Sequence, residues 1–208
     1  MTSIDDVPGT RDRLIAAMSD LLQRRGLHGI GLSDVLAQAH APKGVLYHHF
    51  PGGKVELAVA AIQAAVAYMK ARLDRLQATH DDPVQALRAW LDHAQKQLEQ
   101  SDFERGSPLA TVALESTAAD HVLRQALAQA FGDIRELLTG LLSQAGVMPV
   151  RAAQLATLMV GAYEGALIQS RVAGSVQPVR DIADVLLEWV RCEMKPKTDQ
   201  QEPESTHP

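Results

Sequence analysis

Apolar positions recur at helical spacing along almost the whole of this chain. Leu14, Ile15, Met18, Leu21 and Leu22 fall at i, i+1, i+4, i+7 and i+8, one stripe of a helix. Thr10 can cap that helix, which runs to Arg25. Arg24 and Arg25 suit the negative end of its dipole, and Gly26 follows as a stop. A short second helix, Ser33 to His40, sets Val35, Leu36 and Ala39 on one side. A third begins at Pro42, whose missing N–H is harmless at a first helical position, and places Leu46 and Phe50 four apart. Leu14, Met18, Val35, Leu46 and Phe50 then form the inside of a three-helix bundle.

Pro51-Gly52-Gly53 interrupts the pattern. A long helix, Lys54 to Gln77, follows with Leu57, Ala61, Ala64, Ala65, Tyr68 and Leu73 on a wide apolar face. The next starts at Pro83, runs to Gln100 and carries Leu87, Trp90, Leu91, Ala94 and Leu98. After the polar loop Ser101 to Ser107 come helices at Pro108–Glu115, Asp120–Ala145 (with Gly146 as its stop), Val150–Ala173, and a last one from Pro178 to near Met194. The expected fold is all-α. The arm at 1–9 and the tail at 195–208, polar and with three prolines in the tail, are expected to be disordered. There is no internal repeat.

Composition agrees with helices: 46% of residues are hydrophobic but only 4% aromatic. No apolar run approaches the ~20 residues that span a bilayer, and the polar start does not resemble a signal peptide, so a cytoplasmic protein without a membrane partner is expected. A lone cysteine, Cys192, builds no disulfide framework. It stands beside Glu193 near a helix end, which discourages a thiolate. The eight histidines show no metal-ligand spacing, and no phosphate loop, nucleophile elbow or carboxylate pair is present. Neither enzyme chemistry nor a cofactor or metal is expected.

Charge argues against nucleic acid. The net charge is −5. From Met1 to Leu57, Arg11, Arg13, Arg24, Arg25, Lys43 and Lys54 are balanced by Asp5, Asp6, Asp12, Asp20, Asp34 and Glu56. A neutral bundle on an acidic body implies weak non-specific binding and reliance on a few placed cations.

The third helix is nonetheless poor core material. It buries two residues and shows Lys43, Val45, Tyr47, His48 and His49 to solvent, as a helix that enters a major groove does. An ordinary helical hairpin has the same pattern. The segment A-P-K-G-V-L-Y-H-H-F-P-G-G-K, with the amphipathic helix before it, resembles the helix-turn-helix of TetR-type transcriptional regulators. P-G-G-K, G-S-P-L-A-T-V-A-L-E and Y-E-G-A-L look like the LmrA-type branch. Two positions depart from the family: His40 stands where the turn usually has glycine, and Val45 where threonine or serine is common.

The resemblance implies a helix-turn-helix DNA-binding domain at 1–53, a helical effector-binding and dimerisation domain at 54–194 with 54–77 as the linking helix, and a tail at 195–208. It implies operator DNA, a small-molecule effector and a second copy of the chain as partners. Carried over, the DNA contacts are Ser33, Lys43, Gly44, Val45, Tyr47, His48, His49 and Lys54. The effector pocket is implied at Trp90, His93, Phe103, Phe131, Met159, Tyr163 and Glu164, for which plain core packing is the other reading. The dimer interface is implied at Gly161, Ala162, Gly165, Ala166, Ile182, Val185, Leu186 and Trp189, where packing within the chain is the alternative. The function implied is a homodimeric repressor released from a palindromic operator. The competing function is a helical ligand-binding or partner-docking protein that does not read DNA.

Overall fold

The computed structural model describes residues 9–194; all of the expected 1–9 arm but Gly9, and the tail at 195–208, lie outside the described residues. Nine α-helices and no strand occur among these residues: α1 Thr10–Arg25, α2 Leu32–Gln38, α3 Val45–His49, α4 Gly53–Thr79, α5 Pro83–Gln100, α6 Pro108–Glu115, α7 His121–Gln144, α8 Pro149–Ala173 and α9 Gln177–Glu193. No described helix is long and apolar enough to cross a membrane.

Around α1, the stripe Leu14, Met18, Leu21 and Leu22 is buried against Val35 of α2 and Leu46 of α3, with Phe50 just after it. Gly9, not Thr10, occupies the cap position of α1, and Thr10 lies inside the first turn, where its hydroxyl accepts from Arg13. The turn between α2 and α3 accommodates a side chain by going left-handed: His40 has φ 49°. His40 N–H reaches back to Ala37 O and Ala41 N–H to Leu36 O, the paired bonds of a helix end that glycine usually closes. Arg13 of α1 donates to Ala39 O at 3.1 Å and satisfies another carbonyl of that end.

The third helix does not begin at Pro42. Pro42, Lys43 and Gly44 form a turn in which Val45 N–H meets Pro42 O, and α3 has five residues. So short a helix is held by its anchors, Leu46 and Phe50, each 1% exposed.

The 27 residues of α4 extend ~40 Å at 1.5 Å per residue and join this head to the body. It packs against α1, α5 and α7; α7 packs on α8, and α8 on α9. One core runs without a break from Leu14 to Val190. At the α8–α9 turn Gly174 is left-handed, and the buried Ser170 hydroxyl accepts from Val179 N–H.

Candidate functional site

The helix-turn-helix surface follows from which α3 residues are buried. With Leu46 and Phe50 inward, Lys43, Gly44, Tyr47 and His48 are exposed and Val45 and His49 half-buried; Tyr47 is 59% exposed. The rings of His48 and His49 meet edge to face at 5.1 Å. Gly53, at φ 65°, opens α4 beneath the Tyr47 ring, and a Cβ there would stand 3.5 Å from Tyr47 Cε1. Lys54 follows that glycine in the first turn of α4, and Ser33 lies in the first turn of α2. Lys43, Gly44, Val45, Tyr47, His48 and His49 lie on α3 and the turn before it.

Behind the head lies a cavity of about 840 Å³. Its cause is legible residue by residue: Ala60, Ala64 and Ala67 on α4, Ala16 on α1 and Ala94 on α5 stop short of one another and leave room. Trp90, His93, Tyr163 and Glu164 line it, as expected. The rings of Trp90 and Tyr163 are 5.7 Å apart. Tyr68 and His93 share a hydrogen bond of 2.9 Å.

Three expected lining residues are elsewhere. Phe131 is half-buried against the main core and does not line the cavity. Phe103, left-handed at φ 59°, turns its ring into a small cluster with Leu98, Ala166, Leu167 and Val179. Met159 is buried and borders a void of about 30 Å³ that shares Trp90, Tyr163 and Glu164 with the main cavity. Sequence reasoning missed the wall that α1 contributes (Ile15, Ser19, Gln23) and Arg72 of α4. Arg72, a cation on the cavity side of a long alanine-rich helix, was the one available signal.

Electrostatics inside the cavity are unbalanced. Burial raises the Glu164 carboxyl to about 6, the Ser107 hydroxyl partly opposing it. Its Oε2 is buried without a hydrogen-bond partner, and so is Arg72 Nε. Burial pushes the Tyr163 hydroxyl well up, the neighbouring Glu164 adding to the effect. Burial lowers the His93 imidazole, with Arg72 and Lys96 acting the same way.

A set of contacts invisible to spacing grips the C-terminal end of α1. Gly106 N–H donates to Gln23 O at 3.0 Å, and Arg171 of α8 donates to Arg24 O at 2.7 Å. Arg105 reaches Asp20 at 2.5 Å, and Arg24 pairs with Glu104. Burial alone would raise the Asp20 carboxyl, but donors from Gln38, Arg105 and Arg24 hold it below its ordinary range. Glu115, the last residue of α6, accepts from Leu27 N–H at 2.5 Å and His28 N–H at 3.1 Å. The body therefore supplies the caps of a helix that belongs to the head. Glu115→Ala strips a carboxylate from two backbone donors and is expected to cost about 1–2 kcal/mol in a urea melt. An unchanged midpoint would remove Glu115 from the clamp.

On the far side, α8 and α9 present an uncovered apolar face. Leu158, Gly161, Ile168 and Val172 of α8 are exposed, Val172 at 85%, as are Val185 and Trp189 of α9. Arg151 lies over the Trp189 ring at 5.8 Å. Ala162, Gly165 and Ile182 are half-buried beside this face. Ala166 and Leu186 are not on it: both are buried inside the subunit, Ala166 against Leu98 and Val179. They fall on the inner sides of their helices, each one residue, or about 100°, round from Gly165 and Val185. Among the described residues no cluster of His, Cys, Asp or Glu is placed to hold a metal ion.

A small helix held outward on two anchors, with a cavity-bearing helical body clamped behind it, has the form of a helix-turn-helix regulator. The chain belongs to the TetR family of bacterial regulatory proteins. Residues 14–61 match that family's N-terminal domain, and residues 83–185 match the C-terminal domain of LmrA/YxaF-like transcriptional regulators. It is 28% identical over 177 residues to the HTH-type transcriptional regulator LmrA of Bacillus subtilis, covering 85% of this chain and 94% of that one. It is 30% identical over 190 residues to an uncharacterised HTH-type transcriptional regulator of Mycobacterium tuberculosis, covering 86% and 95%. Its fold is that of a regulatory protein TetR from Rhodobacter sphaeroides (TM-score 0.76, 23% identity, 86% and 97% covered) and of reduced Escherichia coli NemR (TM-score 0.73, 24% identity, 89% and 98% covered). The chain is a transcriptional regulator, and operator DNA is its partner.

Proposed function

We propose that this regulator is a homodimeric repressor, acting in the cytoplasm, that a small molecule releases from a palindromic operator. Residues 1–53 are the reading head and 54–194 the effector and dimer body. The observation that carries the reading is the position of the cavity. One wall is α1 of the head, and the others come from α4, α5, α6 and α8 of the body. An occupant therefore touches Ile15 and Ser19 on one side and Trp90 and Glu164 on the other. The loop residues Arg105 and Gly106 that grip α1 line the same cavity. Filling it bears directly on how the head is held.

Two heads read two half-sites about 34 Å apart. A ligand that shifts the hold on α1 and α4 takes them out of that spacing. A ~100-fold release requires the ligand to favour the non-binding state by about 2.7 kcal/mol. Lys43, Gly44, Val45 and Tyr47 meet base edges and nearby phosphates, with Ser33, His48, His49 and Lys54 on the backbone. The face at Leu158, Gly161, Val185 and Trp189 pairs with its copy across a two-fold axis.

The test is fluorescence anisotropy with duplexes from upstream of the protein's own gene, backed by selection from genomic fragments, at about 150 mM salt. Preference over a scrambled duplex by ~10³ or more is expected, with one dimer bound per palindrome. Failure of the selection to enrich any sequence would overturn the reading.

A further inference from the structure

We infer that the effector is an organic cation: an amine protonated at neutral pH, carried on an apolar body, with its nitrogen seated on Glu164 and a hydrogen-bond acceptor meeting Arg72. The inference rests on the cavity being the effector site and names what that site takes.

Glu164 is set into the wall of a largely apolar space, and its Oε2 is buried with no partner. It belongs to no ion pair among the described residues, and the Ser107 hydroxyl is the one hydrogen-bonding group that bears on it. An ionised carboxylate only accepts. A neutral hydroxyl would answer one lone pair and leave the charge uncompensated, whereas an ammonium answers both. Trp90 and Tyr163, with ring centroids 5.7 Å apart beside Glu164, supply the aromatic faces that favour a cation. A carboxylate-bearing ligand would set its charge against Glu164.

The wall also holds the converse group. Arg72 Nε–H is buried without an acceptor. Arg72 is a donor where Glu164 is an acceptor, so one occupant that meets both carries an ammonium and a hydrogen-bond acceptor. A carbonyl, ether or hydroxyl oxygen meets Arg72. The volume of about 840 Å³ leaves room for a body of drug-like size.

The experiment uses three probes with one aromatic body: 1-naphthylmethylamine, 1-naphthylmethanol and 1-naphthoate, titrated into the whole protein by calorimetry up to about 5 mM, the range expected of so small a ligand. At pH 7.5 the amine is expected to bind about ten-fold or more tighter than the alcohol, and the carboxylate weakest. Glu164→Gln keeps the side-chain volume and removes the charge. It is expected to bring the amine to within about three-fold of the alcohol and to leave the alcohol's affinity nearly unchanged.

A second arm needs no variant. Lowering the pH to 5.0 protonates Glu164, whose carboxyl titrates near 6, and the wild-type preference for the amine is expected to shrink by about ten-fold. The other charged or titratable groups facing the cavity are Arg11 and Asp12 of α1, Tyr68 and Arg72 of α4, His93 of α5, Arg105 of the α5–α6 loop and Tyr163 of α8. Their share is the pH dependence that survives in Glu164→Gln. An alcohol that binds as tightly as the amine, or an amine preference that survives in Glu164→Gln, overturns the cation and leaves the cavity as a pocket. Binding of none of the three overturns the pocket along with it.

Discussion

Lys43→Ala is expected to weaken the specific DNA complex by about 10- to 100-fold per half-site and to flatten its sequence preference. The head and the first turn of α4 together have six basic residues, and the structure shows what four of them already do. Arg13 caps the end of α2, Arg24 pairs with Asp20 and Glu104, Arg25 lies 3.8 Å from Asp34, and Arg11 sits over the Phe50 ring. Lys43 and Lys54 have no protein partner among the described residues, and both border the exposed face of α3. A head of zero net charge has no diffuse field to fall back on, so the loss of either is felt in full. The two losses differ in kind. On the proposed reading Lys43, at the entrance to α3, donates to a guanine edge, and its removal is expected to lower discrimination between operator and scrambled DNA. On the same reading Lys54, in the first turn of α4, neutralises a phosphate. Its removal lowers affinity for every sequence alike and reduces the slope of log K against log salt by about 2 in a dimer. Tyr47→Ala, which strips the ring that lies over Gly53, combines with Lys43→Ala to reduce operator binding to the level of scrambled DNA. Anisotropy titrations at two salt concentrations read all four quantities. Wild-type affinity in the Lys43, Tyr47 double variant would place DNA recognition somewhere other than α3.

How far the residues alone lead depends on sequence distance. The end of α1 and both bounds of α6 are those expected from the periodicity, because apolar stripes and flanking Gly26 and Pro108 are local signals. The left-handed His40 is equally local: a helix must end there whatever residue fills the place. Pro42 misled because proline suits a first helical position as well as a turn, and only the anchors Leu46 and Phe50 decide between them. The cavity was half legible. Trp90, His93, Tyr163 and Glu164 lie on helices facing it, but Phe103, Phe131 and Met159 have the same composition and face core instead. Bulk at helical spacing says that a residue is inside without saying whether the space beside it is filled. The clamp on α1 was not legible at all. Glu115 and Leu27 are 88 positions apart, and Arg171 and Arg24 147 apart, so no window of sequence joins them.

Gly161→Leu is expected to leave a folded subunit that no longer dimerises and, for that reason, no longer holds its operator. Glycine inside a helix costs about 1 kcal/mol against alanine, and α8 carries two, Gly161 and Gly165. Nothing within the subunit requires either, since a Cβ at each would meet no atom within 4 Å. Open space alone does not mark an interface; what sets these two apart is the uncovered apolar face around them. Flanked by exposed Leu158, Ile168 and Val172, and with Val185 and Trp189 alongside on α9, the two glycines form a shallow track into which a partner helix can settle. Leucine at 161 fills that track without disturbing the core beneath. The subunit should therefore melt at or slightly above the wild-type temperature, while sedimentation shows the dimer dissociation constant raised by about 100-fold or more. Operator affinity then falls by about 10²–10⁴, the gain lost when two linked half-site contacts become independent. Gly140→Leu on α7 provides the contrast. It too has nothing within 4 Å, yet lies on a helix outside the proposed interface, so its dimer and its DNA binding should match the wild type. A Gly161→Leu protein that remains dimeric at wild-type strength would move the two-fold axis off α8 and α9 and leave the apolar face there in need of another partner.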